Sequence, residues 1–434
     1  MAGRVQLATR GTQDVFFTDN PEYTYFIKNF RKHTNFAKST VDHDAVGELE
    51  FGSTLRYTLP QNVGDLLQTV SFRIQLDAIP IDSIGYTESI GHAMLEYVEL
   101  YIGGTLIQRI PRDFLQIHSE HYVTQTKQIN LDKLIGKPSR EISGTPVYSQ
   151  DILGHLGPAT TERTCIVDIP FYFYNNPELA IPLCALYEQE CEIVVKLAPQ
   201  THCVYDFTSD IIPYQGVQKG LIKDFKLVTE LVYLEDIERI QLQEKTTDYI
   251  ITQLQGETVH IPGTTEPYQD IKHKCQFINP VKELFFVLQS QTNTYSPFDY
   301  DHNLPVTNGV YTNYEHLKYA ELTLDNEVFL NDITGNVIHL RAVQSGIHHS
   351  RTQLFRRFYS YSFALEPERW YPTGQKNFSL VNEQLLKMRL NGQTYDLDEN
   401  FNQIIFDREL RVYAFSYNIL RIENGTARLL FGSN

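Results

Sequence analysis

The stretch ELEFGSTLRYTL, residues 48–59, sets the fold class. Leu49, Phe51, Leu55, Tyr57 and Leu59 are apolar, and Glu48, Glu50, Thr54, Arg56 and Thr58 between them are polar. A period of two buries one face of a β-strand and leaves the other in water, and Pro60 ends the run. TVSFRIQLD, residues 69–77, repeats the pattern with Val70, Phe72, Ile74 and Leu76.

Outward from these two runs, residues 97–102 and 105–109 flank Gly103-Gly104, whose permissive backbone suits a two-residue hairpin. After Pro111, a short helix carries Phe114, Ile117, His118, His121 and Tyr122 at helical spacing. Residues 131–158 read as mostly loop, and strand patterns resume at 163–173 and 187–197. Residues 209–220, SDIIPYQGVQKG, carry a proline and two glycines and read as a linker. Beyond it come strands at 225–234, 249–254, 283–289, 319–324, 359–365, 385–390 and 411–422, with a polar helical turn at 235–245. Long loops at 290–315 and 330–355 separate them, and loops of that length carry function or face a partner.

The expected organisation is therefore all-β: an amino-terminal arm over residues 1–40, a sandwich over 41–208, the linker at 209–220 and a second sandwich over 221–434. Two halves of similar size, both rich in short strands, suggest consecutive jelly rolls with short helices in their loops.

Composition narrows the function. The chain has 434 residues, 42% hydrophobic, with a net charge of −16, which suits a globular protein and disfavours one that coats nucleic acid with its whole surface. No apolar run is long enough to span a membrane, and Met1-Ala2-Gly3-Arg4 does not open a signal peptide, so synthesis in the cytosol is expected. Five cysteines without a C-x-x-C pair are expected to be reduced, buried thiols.

The motifs of zincins, P-loops, hydrolase elbows and dinucleotide folds are all missing, so no catalytic, cofactor or metal residues are expected. His118 and His121 share a helix face without other ligands nearby, and His348-His349 would point to opposite sides. The sequons at Asn377 and Asn424 are read as coincidental. A β-sandwich protein with 27 tyrosines also leaves open a carbohydrate-binding or carbohydrate-cleaving role, since aromatic faces stack on sugars.

The start of the chain stands apart. GTQDVFFTDNPEYTYFIKNFRKHTNFA, residues 11–37, holds Phe16, Phe17, Tyr23, Tyr25, Phe26, Phe30 and Phe36, broken by Asp19, Asn20 and Pro21. The first 40 residues carry six Lys or Arg, Arg31 and Lys32 among them, against three acids. Such a segment must bury its rings against something, which points to a contact arm.

That stretch, with Gly11, Asp14, Asn20 and Pro21, resembles the amino-terminal signature of the major capsid proteins of nucleocytoplasmic large DNA viruses, the group of chlorella viruses and iridoviruses. FYFYNNPELAIPLCALYEQECEIVVKL, with Asn176, Pro177 and Pro182, is similar to a second family segment, and LVYLEDIERIQLQEKTTDYIITQLQ to the opening of its second domain. YSFALEPERWYPTGQKNFSLVN is the most specific match, through Tyr361, Phe363, Pro367, Gly374, Asn377 and Phe378, and YNILRIENGTARLLFGSN resembles the family ending. Trp370-Tyr371 departs from the polar pair usual there.

The resemblance implies a double jelly roll of two eight-stranded sandwiches. It implies homotrimers that act as pseudo-hexagonal capsomers, tiling the icosahedral shell of a virion assembled in the host cytoplasm. The partners it implies are neighbouring capsomers and minor capsid proteins, with the arm toward the shell interior near an internal lipid membrane, and no sequence-specific nucleic acid. Cofactors are not implied.

Overall fold

The computed structural model of the chain describes residues 2–28, 32–61, 63–81, 83–137, 141–142, 145–146, 159, 161–206, 212–214, 216, 220–291, 297–298, 300, 302–304, 312–351, 357–392, 395–397 and 403–432. It divides into two units, Met1–Phe36 and Ala37–Asn434.

Within the first unit, helix α1 (Ala2–Ala8) is followed by α2 (Thr12–Thr18). The Gly11 N–H donates to the Asp14 carboxylate at 2.9 Å, fixing the start of α2. Asn20 takes a left-handed φ of 49° and Pro21 follows, so the helix cannot continue. No residue of either helix is buried.

The second unit begins with a strand that the sequence pattern did not mark, and the alternating strands follow it. Its first eight long strands are β1 (Phe36–Asp44), β2 (Thr54–Leu59), β3 (Leu66–Leu76), β4 (Leu95–Ile102), β5 (Thr105–Pro111), β6 (Arg163–Asp168), β7 (Cys191–Leu197) and β8 (Ile222–Leu234). One sheet has the order β1-β8-β3-β6 and the other β2-β7-β4-β5. Leu55, Tyr57 and Leu59 of β2 are buried while the residues between them are exposed.

Eight more strands follow: β9 (Thr247–Ile261), β10 (Tyr268–Lys274), β11 (Pro280–Ser290), β12 (Leu317–Leu324), β13 (Glu327–Leu330), β14 (Phe358–Ser362), β15 (Gln384–Asn391) and β16 (Arg408–Glu423). Their sheets run β9-β16-β11-β14 and β10-β15-β12-β13. Counted from its own first strand, each sandwich has the same two orders, 1-8-3-6 and 2-7-4-5. The duplication expected from organisation alone is thus a repeat of topology, a double jelly roll.

Several expectations need correction. The strand expected over 48–59 starts only at Thr54. Gly52 adopts a φ of +81°, and a Cβ on Gly47 would lie 2.7 Å from the Thr54 carbonyl, so the chain turns before it extends. Likewise β6 ends at Asp168 and β7 begins at Cys191, each shorter than expected. The loop expected over 131–158 opens inside a helix, Gln125–Ile135, closed by Gly136 at a φ of +77°. Its remainder lies largely outside the described residues, as does much of 290–315. The loop expected over 330–355 holds a π-helical turn, His339–Val343, that runs into the helix Gln344–His348.

The boundary at 209–220 is also misplaced. β8 lies after it, yet pairs antiparallel with β3 along nearly its whole length, from Ile222 opposite Leu76 to Val232 opposite Leu66. The first sandwich needs this strand to complete its sheet, so the passage to the second comes at the helix Asp236–Glu244. At the other end, the arm expected to reach residue 40 gives way to β1 at Phe36.

The core of the first sandwich extends onto the outer face of one sheet of the second, whose own interior forms a separate core. In β11, Leu284, Phe286 and Leu288 enter the second sandwich, whereas Phe285 and Val287 on the opposite face join the core of the first. Both faces of this sheet are covered, which is why ELFFVL reads as an apolar run rather than an alternation.

Candidate assembly surfaces

The described chain brings its polar chemistry together mainly at the seam between the sandwiches. The helix α3 (Arg112–His121), which follows β5 directly, lies there, and Phe114 packs against Phe285 and Phe415 of the second sandwich at 6.5 and 5.3 Å between ring centroids. Beside it, the buried Asp113 carboxylate accepts hydrogen bonds from Tyr300 and Tyr413, both at 2.9 Å, and pairs with the Arg411 guanidinium at 2.9 Å. Arg351, from the second half, clasps the end of the same helix. Its side chain donates to the Glu120 carboxylate at 2.7 Å, the Glu120 carbonyl at 2.9 Å and Gln128 at 2.7 Å.

A histidine lies at the centre of a second cluster. His349 Nε2 is 2.5 Å from Glu283 and its Nδ1 is 3.4 Å from Glu368, while Tyr122 donates to the other Glu283 oxygen at 3.3 Å. Burial opposes the charged imidazolium, but the two carboxylates outweigh it and hold His349 up at about 9. His121, 4.8 Å away between ring centroids, is pushed well below the ordinary histidine range by burial and by the His349 and Arg351 charges. His118 stacks on Tyr122 and is pushed down to about 4 by burial. His348 turns away, its Nδ1 3.1 Å from the Leu365 carbonyl, so the adjacent pair diverges as expected.

The motif residues sit in structural positions. Asn176 donates to the carbonyls of Tyr174 and Tyr172 and precedes the 3-10 turn Pro177–Leu179, while Pro182 pairs opposite Leu66 of β3. Tyr361 lies on β14, and Phe363 packs edge-on against Tyr361, Phe329 and the buried Phe378. The Pro367 carbonyl accepts from Lys282 at 2.7 Å, and that buried amine, 4.2 Å from the Phe415 centroid, is pushed down to about 8 by burial. Gly374 has a φ of +141°, and Asn377 accepts from the Ser379 N–H at 3.0 Å. The five cysteines are free, four of them buried and Cys184 half-buried.

Of the arm residues, Phe30 and Arg31 lie outside the described set. Phe16 and Phe17 are 84% and 82% exposed and meet edge-on, as do Tyr23 and Tyr25. Phe26, Lys32 and Phe36 are exposed as well. In the second sandwich, Ile338, Ile347 and Leu365 are about as open, at 71%, 68% and 76%. The sequence signalled the arm by its aromatic density, but no local pattern marked Ile338 or Ile347, which read as ordinary loop residues, and Leu365 read as the end of a strand that in the structure stops at Ser362.

Residues 24–235 match the family described as major capsid protein N-terminus, and residues 238–428 match large eukaryotic DNA virus major capsid protein. The chain belongs to this major capsid protein family. The two matches meet where the structure changes from one jelly roll to the next. Among the similar relatives, the major capsid protein of Pyramimonas orientalis virus is 28% identical with 99% of both chains covered. That of Paramecium bursaria Chlorella virus 1 is 26% identical over the whole of both. A quasi-atomic structure of the PBCV-1 virus capsid superposes with a TM-score of 0.74 at 21% identity, covering 94% of this chain and 100% of that one. The Faustovirus major capsid protein gives a TM-score of 0.69 at 12% identity, covering 97% and 96%.

As a major capsid protein, the chain is a structural component of the virion and not an enzyme. The carbohydrate-binding alternative is not favoured. Family members assemble into capsomers, so the surfaces that matter are those that meet other copies.

Proposed function

We propose that this major capsid protein forms a homotrimeric capsomer of pseudo-hexagonal outline that tiles the flat facets of an icosahedral shell. The observation that carries this reading is the identical strand order of the two jelly rolls. Three chains, each with two sandwiches of one topology packed together through an apolar seam, present six similar units around a threefold axis. Such a tile packs as a hexagon does.

The exposed side chains of Ile338, Ile347 and Leu365 supply apolar area for contacts between copies, and their segments are tied by the bond between His348 and the Leu365 carbonyl. The arm, with its exposed rings and excess of positive charge, is the contact to neighbouring capsomers, minor capsid proteins or the headgroups of an internal membrane. Synthesis and assembly take place in the host cytoplasm on this reading.

Light scattering of the purified protein tests it. A mass near three times 50.2 kDa, roughly 150 kDa, is expected. A stable monomer at micromolar concentration would overturn it.

A further inference from the structure

Apart from the Asp113 and His349 clusters, one group of side chains has a composition that the shell role does not call for. Glu257 lies on β9, His273 on β10, and Cys275 just beyond the end of β10. Positions 273 and 275 are two apart in extended chain and so face the same way. His273 Nε2 is 2.5 Å from a Glu257 oxygen, and one ligand atom from each of the three residues lies within 4.8 Å of the others. Among the described residues, this is the one group of three or more such side chains with that closeness.

The carboxylate is held in place independently. Its second oxygen accepts the Gln276 N–H at 2.6 Å, and Gln255, two residues back on β9, bonds both backbone groups of Ile278, its Oε1 accepting at 3.0 Å and its Nε2 donating at 2.7 Å. An ion pair between Glu257 and His273 would account for those two residues but not for a thiol beside them. Burial and the Glu257 charge push that thiol up to about 12, the reverse of what a reactive cysteine needs. A divalent cation changes the balance, because it neutralises the carboxylate and takes the sulfur as thiolate, releasing the thiol proton to solvent.

One imidazole, one thiolate and one carboxylate form a donor set suited to zinc, and a poor one for magnesium or calcium, which need several oxygens. Three protein ligands leave a fourth position for water. The position in the fold suggests what binding achieves. β9 is the edge strand of one sheet and β10 the edge strand of the facing sheet. We propose that Glu257, His273 and Cys275 form a zinc-type divalent metal site that ties these two edges together. Binding there stabilises the folded state by mass action, because the three ligands converge only when the two edges are in place.

Cobalt(II) serves as a spectroscopic probe on the full-length protein after treatment with a chelator. One equivalent is expected to give a thiolate-to-cobalt charge-transfer band in the near ultraviolet, and zinc is expected to raise the melting temperature by a few degrees. Cys275→Ser should lose the band, and Cys184→Ser, at the half-buried thiol, should keep it. Because Cys275 borders the core, His273→Gln provides the second variant. It changes only a partly exposed side chain and should weaken cobalt affinity about tenfold or more. Absence of the band, its persistence in Cys275→Ser, or wild-type affinity in His273→Gln would each overturn the proposal.

Discussion

Asp113 and Tyr413 lie 300 residues apart in the chain, and their side chains share a buried 2.9 Å hydrogen bond across the seam between the two jelly rolls. The same carboxylate neutralises Arg411. Replacing Asp113 with alanine leaves that guanidinium buried without its counter-charge, and a loss on the order of 3–5 kcal/mol is expected. Urea unfolding of the purified protein measures it. A change below about 1 kcal/mol would show that solvent reaches Arg411 and that the seam is looser than described.

The His349 cluster makes stability depend on pH. Its folded pKa, about 9, is raised above the ordinary 6.5, so its contribution is fully present below pH 6.5 and is lost as pH rises through 9. The rise from 6.5 to about 9 corresponds to a contribution on the order of 3 kcal/mol. Lys282 acts in the opposite sense, because its value falls from 10.5 to about 8. Its cost is present below pH 8 and fades as pH rises toward 10.5. Unfolding midpoints should therefore fall between pH 6.5 and 8, and His349→Gln should flatten that fall. An unchanged slope in the variant would rule His349 out as its source.

Gly374→Ala tests the most specific family motif. The residue has a φ of +141°, and an added Cβ would lie 2.9 Å from the Phe363 carbonyl oxygen. Strain of about 1–3 kcal/mol is expected, read as a lower melting temperature. Gly432→Ala, where nothing lies within 4 Å of the added methyl, serves as the neutral control.

Removal of residues 1–35 spares β1, which starts at Phe36. Melting temperature and oligomeric mass should match those of the full chain, while particle formation, scored by electron microscopy, should drop sharply. Intact particles from the truncated chain would remove the arm from the lattice contacts. Loss of the oligomer would assign it to the capsomer instead.

The strands were legible wherever one face meets a core and the other meets water, as in Leu55, Tyr57 and Leu59 or Val70, Phe72 and Ile74. The Gly103-Gly104 turn was legible because its φ angles of 56° and 76° are ones that few other residues tolerate. The linker was misread for a related reason. Pro213, Gly216 and Gly220 mark an irregular passage, but they carry no information about which sheet the next strand will join. That β8 returns to the first sandwich is decided by its pairing with β3, a contact made at a distance of some 150 residues.

By itself the sequence determined the period-two strands, the reduced thiols, the break at Asn20-Pro21 and, through its motifs, the family. These are local properties, set by side-chain alternation and backbone sterics within a few residues. The tertiary structure alone decided the order of strands in each sheet, the shared core, the ionic clusters of Asp113 and His349, and the meeting of Glu257 with His273 and Cys275. Each of these depends on groups on different strands or helices that only the closed sandwiches bring together, and no local pattern encodes that meeting.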